Sequence, residues 1–362
     1  MSKNKVAIGM SGGVDSSVAA RLLLEAGYEV VGLTMTIWDE RIPLTEARQS
    51  GCFGPGEKDD VAAARESARA LGIPHHIVPL AAEYRAKVLD PFCQGYLQGV
   101  TPNPCALCNP LMKFGALLEK ARSMGLDFDR FATGHYARVQ TDPASGQARL
   151  FRSRDRDKDQ SYFLARLNQK QLREVLFPLG EIEKDDVRAQ ARSLGWHHAA
   201  DKPESQDFFE GDDRSILFPE GALKPGPILD LNGKRLGMHR GIALYTVGQR
   251  AGLGVATGEK VYVQSIDAAN NTLIVGPRDA LTTDRCAVSD PAWIAGRPPH
   301  PKGFRAETRL RYRHPGVAST VTPSGDGMAQ IVFDQPQWAV TPGQMAVFYD
   351  DDEVLGGGWI VR

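Results

Sequence analysis

Seven residues near the amino terminus, Ser11-Gly12-Gly13-Val14-Asp15-Ser16-Ser17, combine the types that hold a phosphate. Two glycines let the backbone approach an anion closely, and hydroxyls and N–H groups at a helix start can donate to it. No Gly-Lys-Ser/Thr follows the glycines, so this is not a Walker A loop. A second chemical feature is Cys105-Ala106-Leu107-Cys108. Such a pair can be half of a zinc site, two ligands of an iron–sulfur cluster, or a nucleophile with its partner thiol. Zinc needs two further ligands, and the chain has no second Cys-x-x-Cys. The remaining cysteines are Cys52, Cys93 and Cys286, five in all. An odd number behind a terminus that reads as strand rather than signal peptide argues against a disulfide scaffold. A cytoplasmic location is expected, with reactive or metal-bound thiols.

The elements that must position these groups alternate strand and helix. Val6–Met10 is a short apolar run before the glycine turn. A helix follows from about Ser16, with Val18, Ala19, Leu22, Leu23 and Ala26 on one face and Gly27 as its stop. Val30–Met35, Ile77–Val78 and Arg130–Thr133 read as further strands. Asp59–Leu71, Ala81–Leu97, Gly115–Met124, Asn168–Phe177 and Lys184–Leu194 read as helices. This alternation predicts an α/β domain with a parallel sheet and a ligand site at the strands' carboxyl ends. Cys93 falls in a helical stretch among apolar residues and Cys286 in the later β region, so both read as packing.

From about Gly211, proline and glycine become frequent and the periodic segments shorten. Tyr262–Ile266, Thr272–Val275 and Gln330–Phe333 read as strands between turns, which suggests two small β-barrels divided by a break near Thr283–Pro301. The expected division is 1–210, 211–282 and 283–362. Arg305, Arg309, Arg311 and Arg313 alternate with other residues, so a strand there would carry one basic face. The chain has 362 residues, 42% hydrophobic and 24% charged, which suits several soluble domains. No apolar run approaches the ~18 residues of a membrane span. A net charge of −1 excludes a large nonspecific nucleic-acid-coating surface but not a local basic patch.

The glycine loop resembles the SGGxDS pyrophosphate loop of the N-type ATP pyrophosphatases, which implies cleavage of ATP to AMP and pyrophosphate with AMP passing to a carbonyl oxygen. Thr101–Asn109 with Lys113-Phe114, Ala132–Ala137, Lys158–Leu164, Tyr245–Arg250 and Arg311–Arg313 together resemble the signatures of the tRNA-specific 2-thiouridylases, the MnmA family. They occur in the family's order over nearly the whole chain. The resemblance implies an adenine-nucleotide alpha-hydrolase-like (Rossmann-like) domain followed by two β domains. It also implies adenylation of the C2 oxygen of a wobble uridine, then its replacement by sulfur. ATP and Mg2+ follow as co-reactants, and tRNA and a sulfur donor or relay protein as partners. Gly9, Met10, Ser11, Gly12, Gly13, Val14, Asp15 and Ser16 would line ATP, with Met35 and Gly134 near the adenine. Cys108 would carry the sulfur, with Cys105 beside it and Asp15 in the catalytic loop. His135, Lys158, Asp159, Gln160, Arg311, Tyr312 and Gln344 match tRNA-contacting positions.

The chain departs from that family at one place. Members commonly carry a second cysteine after a Lys-Pro-Glu-Ser-Gln-like stretch. Here the stretch is Lys202–Gly211, ungapped counting puts Phe209 at that position, and no cysteine lies between Cys108 and Cys286. Either Cys105 or Cys52 replaces the missing thiol, or Cys52, Cys105 and Cys108 hold a 4Fe-4S cluster whose open iron carries sulfur. Two other functions stay open: an amide-forming ligase with the same loop, acting on a small metabolite, and an inactive tRNA-binding homologue.

Overall fold

The computed structural model describes residues 5–44, 51–196 and 208–361. Its first sheet is parallel throughout, in the order β3 (His75–Pro79), β2 (Glu29–Thr36), β1 (Lys5–Gly9), β4 (Arg130–Ala132), β7 (Val175–Leu176). Strand β1 is central, and its side chains alternate between two cores. Val6 and Ile8 join helix α1 (Val14–Glu25) through Val18, Ala19 and Leu23, while Ala7 faces Leu33, Phe114 and Phe131. The chain runs from β1 to β2 and β3 on one side and returns to β4 on the other. The strand order therefore reverses between β1 and β4, and a crevice at their carboxyl ends is the expected ligand position.

The later strands form two sheets. β8 (Gly226–Leu229), β9 (Arg235–His239), β10 (Tyr262–Asp267) and β11 (Thr272–Gly276) make a four-stranded one around Ile228, Val263, Leu273 and Val275. The second runs β12 (Thr282–Trp293), β15 (Met328–Trp338), β14 (Val317–Ser324), β13 (Phe304–Arg309), β16 (Met345–Asp350), β17 (Glu353–Val361), and β17 pairs back to β12 to close a barrel. The expected break at Thr283–Pro301 is thus largely strand. β12 passes through Pro291 by a register shift between Ser289 and Ala292, with Asp290 at φ 46°, so the proline sits where no ladder donor is needed.

Two further findings correct the sequence reading. The hairpin β5 (Ala137–Thr141) and β6 (Ala148–Arg152) lies early in sequence but extends the barrel sheet, pairing Leu150 with Val354. The basic strand face at Arg305–Arg313 does not form. β13 ends at Arg309, and Arg311 and Arg313 lie in the turn that leads to Pro315 and Gly316, the latter at φ 95°. On the strand itself, Arg305 pairs with Asp334 and Arg309 with Glu307, so opposite charges share that face.

Candidate active site

The phosphate loop occupies the crevice between β1 and β4. Gly12 has φ 73°, and a Cβ there would lie 2.4 Å from the Asp60 carbonyl oxygen, so both conformation and space require glycine. Gly13 is the N-cap of α1 and has no side chain with which to cap it, which leaves the first-turn N–H groups for a ligand. The hydroxyls of Ser16 and Ser17 both donate to the Gly13 carbonyl, at 3.0 and 3.1 Å, and Ser11 N–H donates to Ser16 Oγ at 3.2 Å. The loop thus holds its shape through its own hydroxyls. Met10 is buried, anchored by Thr34 Oγ1 donating to its carbonyl at 2.7 Å, so its side chain is core. Gly9 packs against the Phe131 ring, and half-buried Met35 sits near the carboxyl end of β2.

Gly134, just past β4, abuts this loop. A Cβ on it would come within 2.8 Å of both the Asp15 carbonyl carbon and the Ser16 nitrogen. Two residues on, Tyr136 Oη donates to Asp15 Oδ1 at 2.8 Å. A group absent from the sequence reading completes the contact. Lys184, 4% exposed, places its ammonium 2.7 Å from each Asp15 oxygen. Nothing local marked it, since it reads as the ordinary start of a helix. Gln160 is tied to the same cluster, accepting from Tyr136 N–H at 3.0 Å.

Cys105 and Cys108 lie on the short helix Pro104–Cys108, capped by Asn103, whose Oδ1 accepts from Ala106 N–H at 3.1 Å. Cys108 is buried, and burial pushes its thiol up to about 12 against the opposing pull of the Lys113 ammonium. Burial also pushes Cys93 up to about 11 and Cys286 up to about 12, as suits packing residues. Asn109 donates from Nδ2 to the Cys105 and Phe163 carbonyls, at 3.0 and 3.3 Å, while its buried Oδ1 has no hydrogen-bond partner among the described residues. Lys113 also acts on His135, whose pKa is held well below the usual histidine range first by burial and then by that charge. His135 is therefore neutral, hydrogen-bonded to Thr133 Oγ1 at 2.7 Å and within 6.0 Å of the Phe114 ring centroid. Through Phe114 and His135 the segment after the cysteine helix adjoins the Gly134 side of the phosphate loop.

Cys52 belongs to a loop clamped against the segment that starts at Phe208. Cys52 and Phe53 N–H groups both donate to the Phe208 carbonyl, at 3.1 and 2.8 Å, and Phe53 bridges Phe209 in parallel. Glu210 Oε2 accepts from Gly56 N–H at 2.8 Å, and a Cβ on Gly54 would meet that oxygen at 2.4 Å. The three glycines at 51, 54 and 56 were the signal of this close approach. Phe209, at the position of the missing cysteine, is 1% exposed. Buried Tyr84 stacks on Phe53 and feels Cys52, Cys105 and Cys108 together. Residues Lys202–Asp207 of the motif lie outside the described residues.

The expected RNA-facing residues divide. Asp159 is buried and ties a loop together by accepting from Ser153 N–H, Ser161 N–H and Ser161 Oγ. Lys158 beside it is half-buried. Arg311 is exposed and lines a cleft of ≈ 250 Å³ with Gln344, Thr101, Thr246 and Trp338. Gln344 Nε2 donates to the Thr101 carbonyl at 2.9 Å, and the Tyr312 ring lies 4.6 Å from that of Phe163.

Comparison with known proteins fits this geometry. Residues 4–209 match a family described as "tRNA methyl transferase HUP domain", 216–277 its PRC-barrel domain, and 283–360 an aminomethyltransferase β-barrel domain. The tRNA-specific 2-thiouridylase MnmA of Magnetococcus marinus is 46% identical over 362 residues, 99% of each chain. That of Syntrophotalea carbinolica is 47% identical over 99% of each chain. The chain belongs to the tRNA-specific 2-thiouridylase family. A Chloroflexus aggregans member is 45% identical over 99% of this chain and 98% of its own. No helix among the described residues is long and apolar enough to cross a membrane.

Proposed function

We propose that this enzyme is an ATP-dependent tRNA uridine 2-sulfurtransferase. The observation that carries the reading is that the segment following the cysteine helix packs beside the phosphate loop, the Phe114 ring 6.0 Å from that of His135 next to Gly134. The uridine O2 attacks the α-phosphorus of ATP, and the α–β bridging bond breaks with its electron pair leaving on pyrophosphate. AMP now makes the oxygen a competent leaving group. A terminal sulfur carried on Cys108 attacks C2, and the C2–O bond breaks to release AMP. ATP enters as its Mg2+ complex. Asp15, paired with Lys184 in the empty loop, is the carboxylate that would hold the ion.

The sulfur is best read as a persulfide on Cys108, delivered by a donor or relay protein. Among the described residues no three His, Cys, Asp or Glu side chains form a set that could hold a metal. Cys52, Cys105 and Cys108 border Tyr84 without meeting that condition, so no step is drawn through an iron–sulfur cluster. A thiol must then attack Cys108 Sγ and displace the uridine-bound sulfur, leaving a disulfide. Cys52 is the favoured thiol over Cys105, because its loop is hydrogen-bonded alongside Phe208–Glu210, where the family's second cysteine would stand. Residues 1–210 carry both reactions in this account, 211–282 support the cleft with Thr246, and 283–362 hold Arg311, Tyr312 and Gln344 toward the RNA. His135 as a neutral imidazole suits a base edge rather than a phosphate.

The test is direct. Purified enzyme with unmodified tRNA, ATP and a sulfane-sulfur donor should yield AMP, pyrophosphate and 2-thiouridine by nucleoside mass spectrometry. AMP without thiouridine, under any sulfur source, contradicts the assignment.

A further inference from the structure

The lysine that completes the phosphate loop has no part in the steps above, yet its placement is specific. Lys184 arrives from a helix 169 residues after Asp15 and aims a nearly buried ammonium at one carboxylate. Its own backbone N–H is fixed by Asp155 Oδ2 at 2.9 Å, and its ammonium lies 5.5 Å from the Tyr136 ring centroid. A partly buried ion pair is a modest stabiliser, since desolvation of the buried ammonium offsets much of its attraction. The Asp15 side chain is 31% exposed, in the first turn of α1, where incoming phosphates would gather. Two anions cannot share that turn without a cation between them.

We propose that Lys184 is a phosphate-handling catalytic residue of the adenylation step. Its ammonium neutralises Asp15 while the loop is empty. With ATP bound, Asp15 would hold the nucleotide's Mg2+, and the ammonium turns from Asp15 to the β- and γ-phosphates. There it meets the charge that develops as the α–β bridging bond breaks and the electron pair leaves on pyrophosphate. Its proton stays in place throughout. The proposal rests on the reading of Ser11–Ser17 as the ATP loop.

Lys184→Met keeps the stem and removes the charge. Its kcat for tRNA-dependent AMP formation should fall about 10²–10³-fold, the usual effect of losing one transition-state charge partner, with KM for tRNA unchanged. The double variant Asp15→Asn/Lys184→Met separates this from simple charge balance. If the lysine only offsets Asp15, the double variant will match Asp15→Asn alone, and the proposal fails. It also fails if folded Lys184→Met makes AMP at the wild-type rate. Lys184→Arg keeps the charge and so the fold, with a different reach. In it the inhibition constant for pyrophosphate should shift by about threefold or more while that for AMP stays fixed, and equal constants overturn the idea even if the Met variant does not fold. Wild-type enzyme that makes no AMP would instead overturn the ATP reading itself.

Discussion

The phosphate loop and the cysteine helix belong to one domain, and they are prepared in opposite ways. At the loop, Ser16 and Ser17 spend their hydroxyls on Gly13, and Asp15 is gripped by Tyr136 and Lys184. The first-turn backbone N–H groups receive no side-chain cap. That is electrostatic preorganisation, which costs no rearrangement when the charged ligand arrives. At the helix, Cys108 is buried with its thiol up at about 12, and the adjacent Asn109 Oδ1 is a buried acceptor without a partner among the described residues. Leaving such an acceptor unmet costs about 1–3 kcal/mol. At pH 8 a thiol of that kind is on the order of one part in 10⁴ thiolate. On the proposed function, the adenylating half is set before its substrate comes, while the sulfur half is kept closed. A reactive sulfur that is exposed only when an activated uridine is present has less chance to be lost to water or to stray thiols.

The contrast can be broken most severely at Phe209, which seals the clamp beside Cys52. Phe209→Ala should cost about 3–5 kcal/mol of stability in denaturant unfolding, as for other buried aromatics, and should speed labelling of Cys108. A loss under about 1 kcal/mol would show that the clamp is held elsewhere. Gly134→Ala attacks the other half by forcing the two crevice loops apart. It should reduce kcat/KM for ATP on the order of 10²-fold, as a misplacement of about 1 Å can, while tRNA affinity holds. An unchanged ATP dependence would mean that the loops do not close on the nucleotide. The gentlest probe is alkylation. Because burial raises the Cys108 pKa, its labelling rate should climb about tenfold per pH unit from pH 8 toward 10, after exposed Cys52 has reacted. A flat profile at Cys108 would mean that it is not stored as the thiol.

The sequence made the adenylating half legible because its determinants are local. Gly12 and Gly13 between an apolar strand and a helix announce the turn, and Ser16 and Ser17, which brace it, lie in the same loop. What it concealed is held by distant pairing. Lys184 meets Asp15 across 169 residues, and β6 finds β17 across about 200, so neither leaves a periodic trace. The run of arginines at 305–313 suggested a strand longer than β13, but the turn at Pro315-Gly316 and the intervening Glu307 decided otherwise. Asp159 lies in a tRNA-facing motif by resemblance, yet its oxygens are occupied by Ser153 and Ser161. A motif gives the position of a residue, and only burial shows whether its side chain can reach a partner.

The separability of the two halves is tested most directly by Cys108→Ser, assayed for AMP and for 2-thiouridine in the same reaction. The account predicts AMP formation within a few-fold of wild type and no detectable 2-thiouridine. Thiouridine made without that sulfur, or AMP formation lost along with it, would contradict an adenylating site that stands complete on its own.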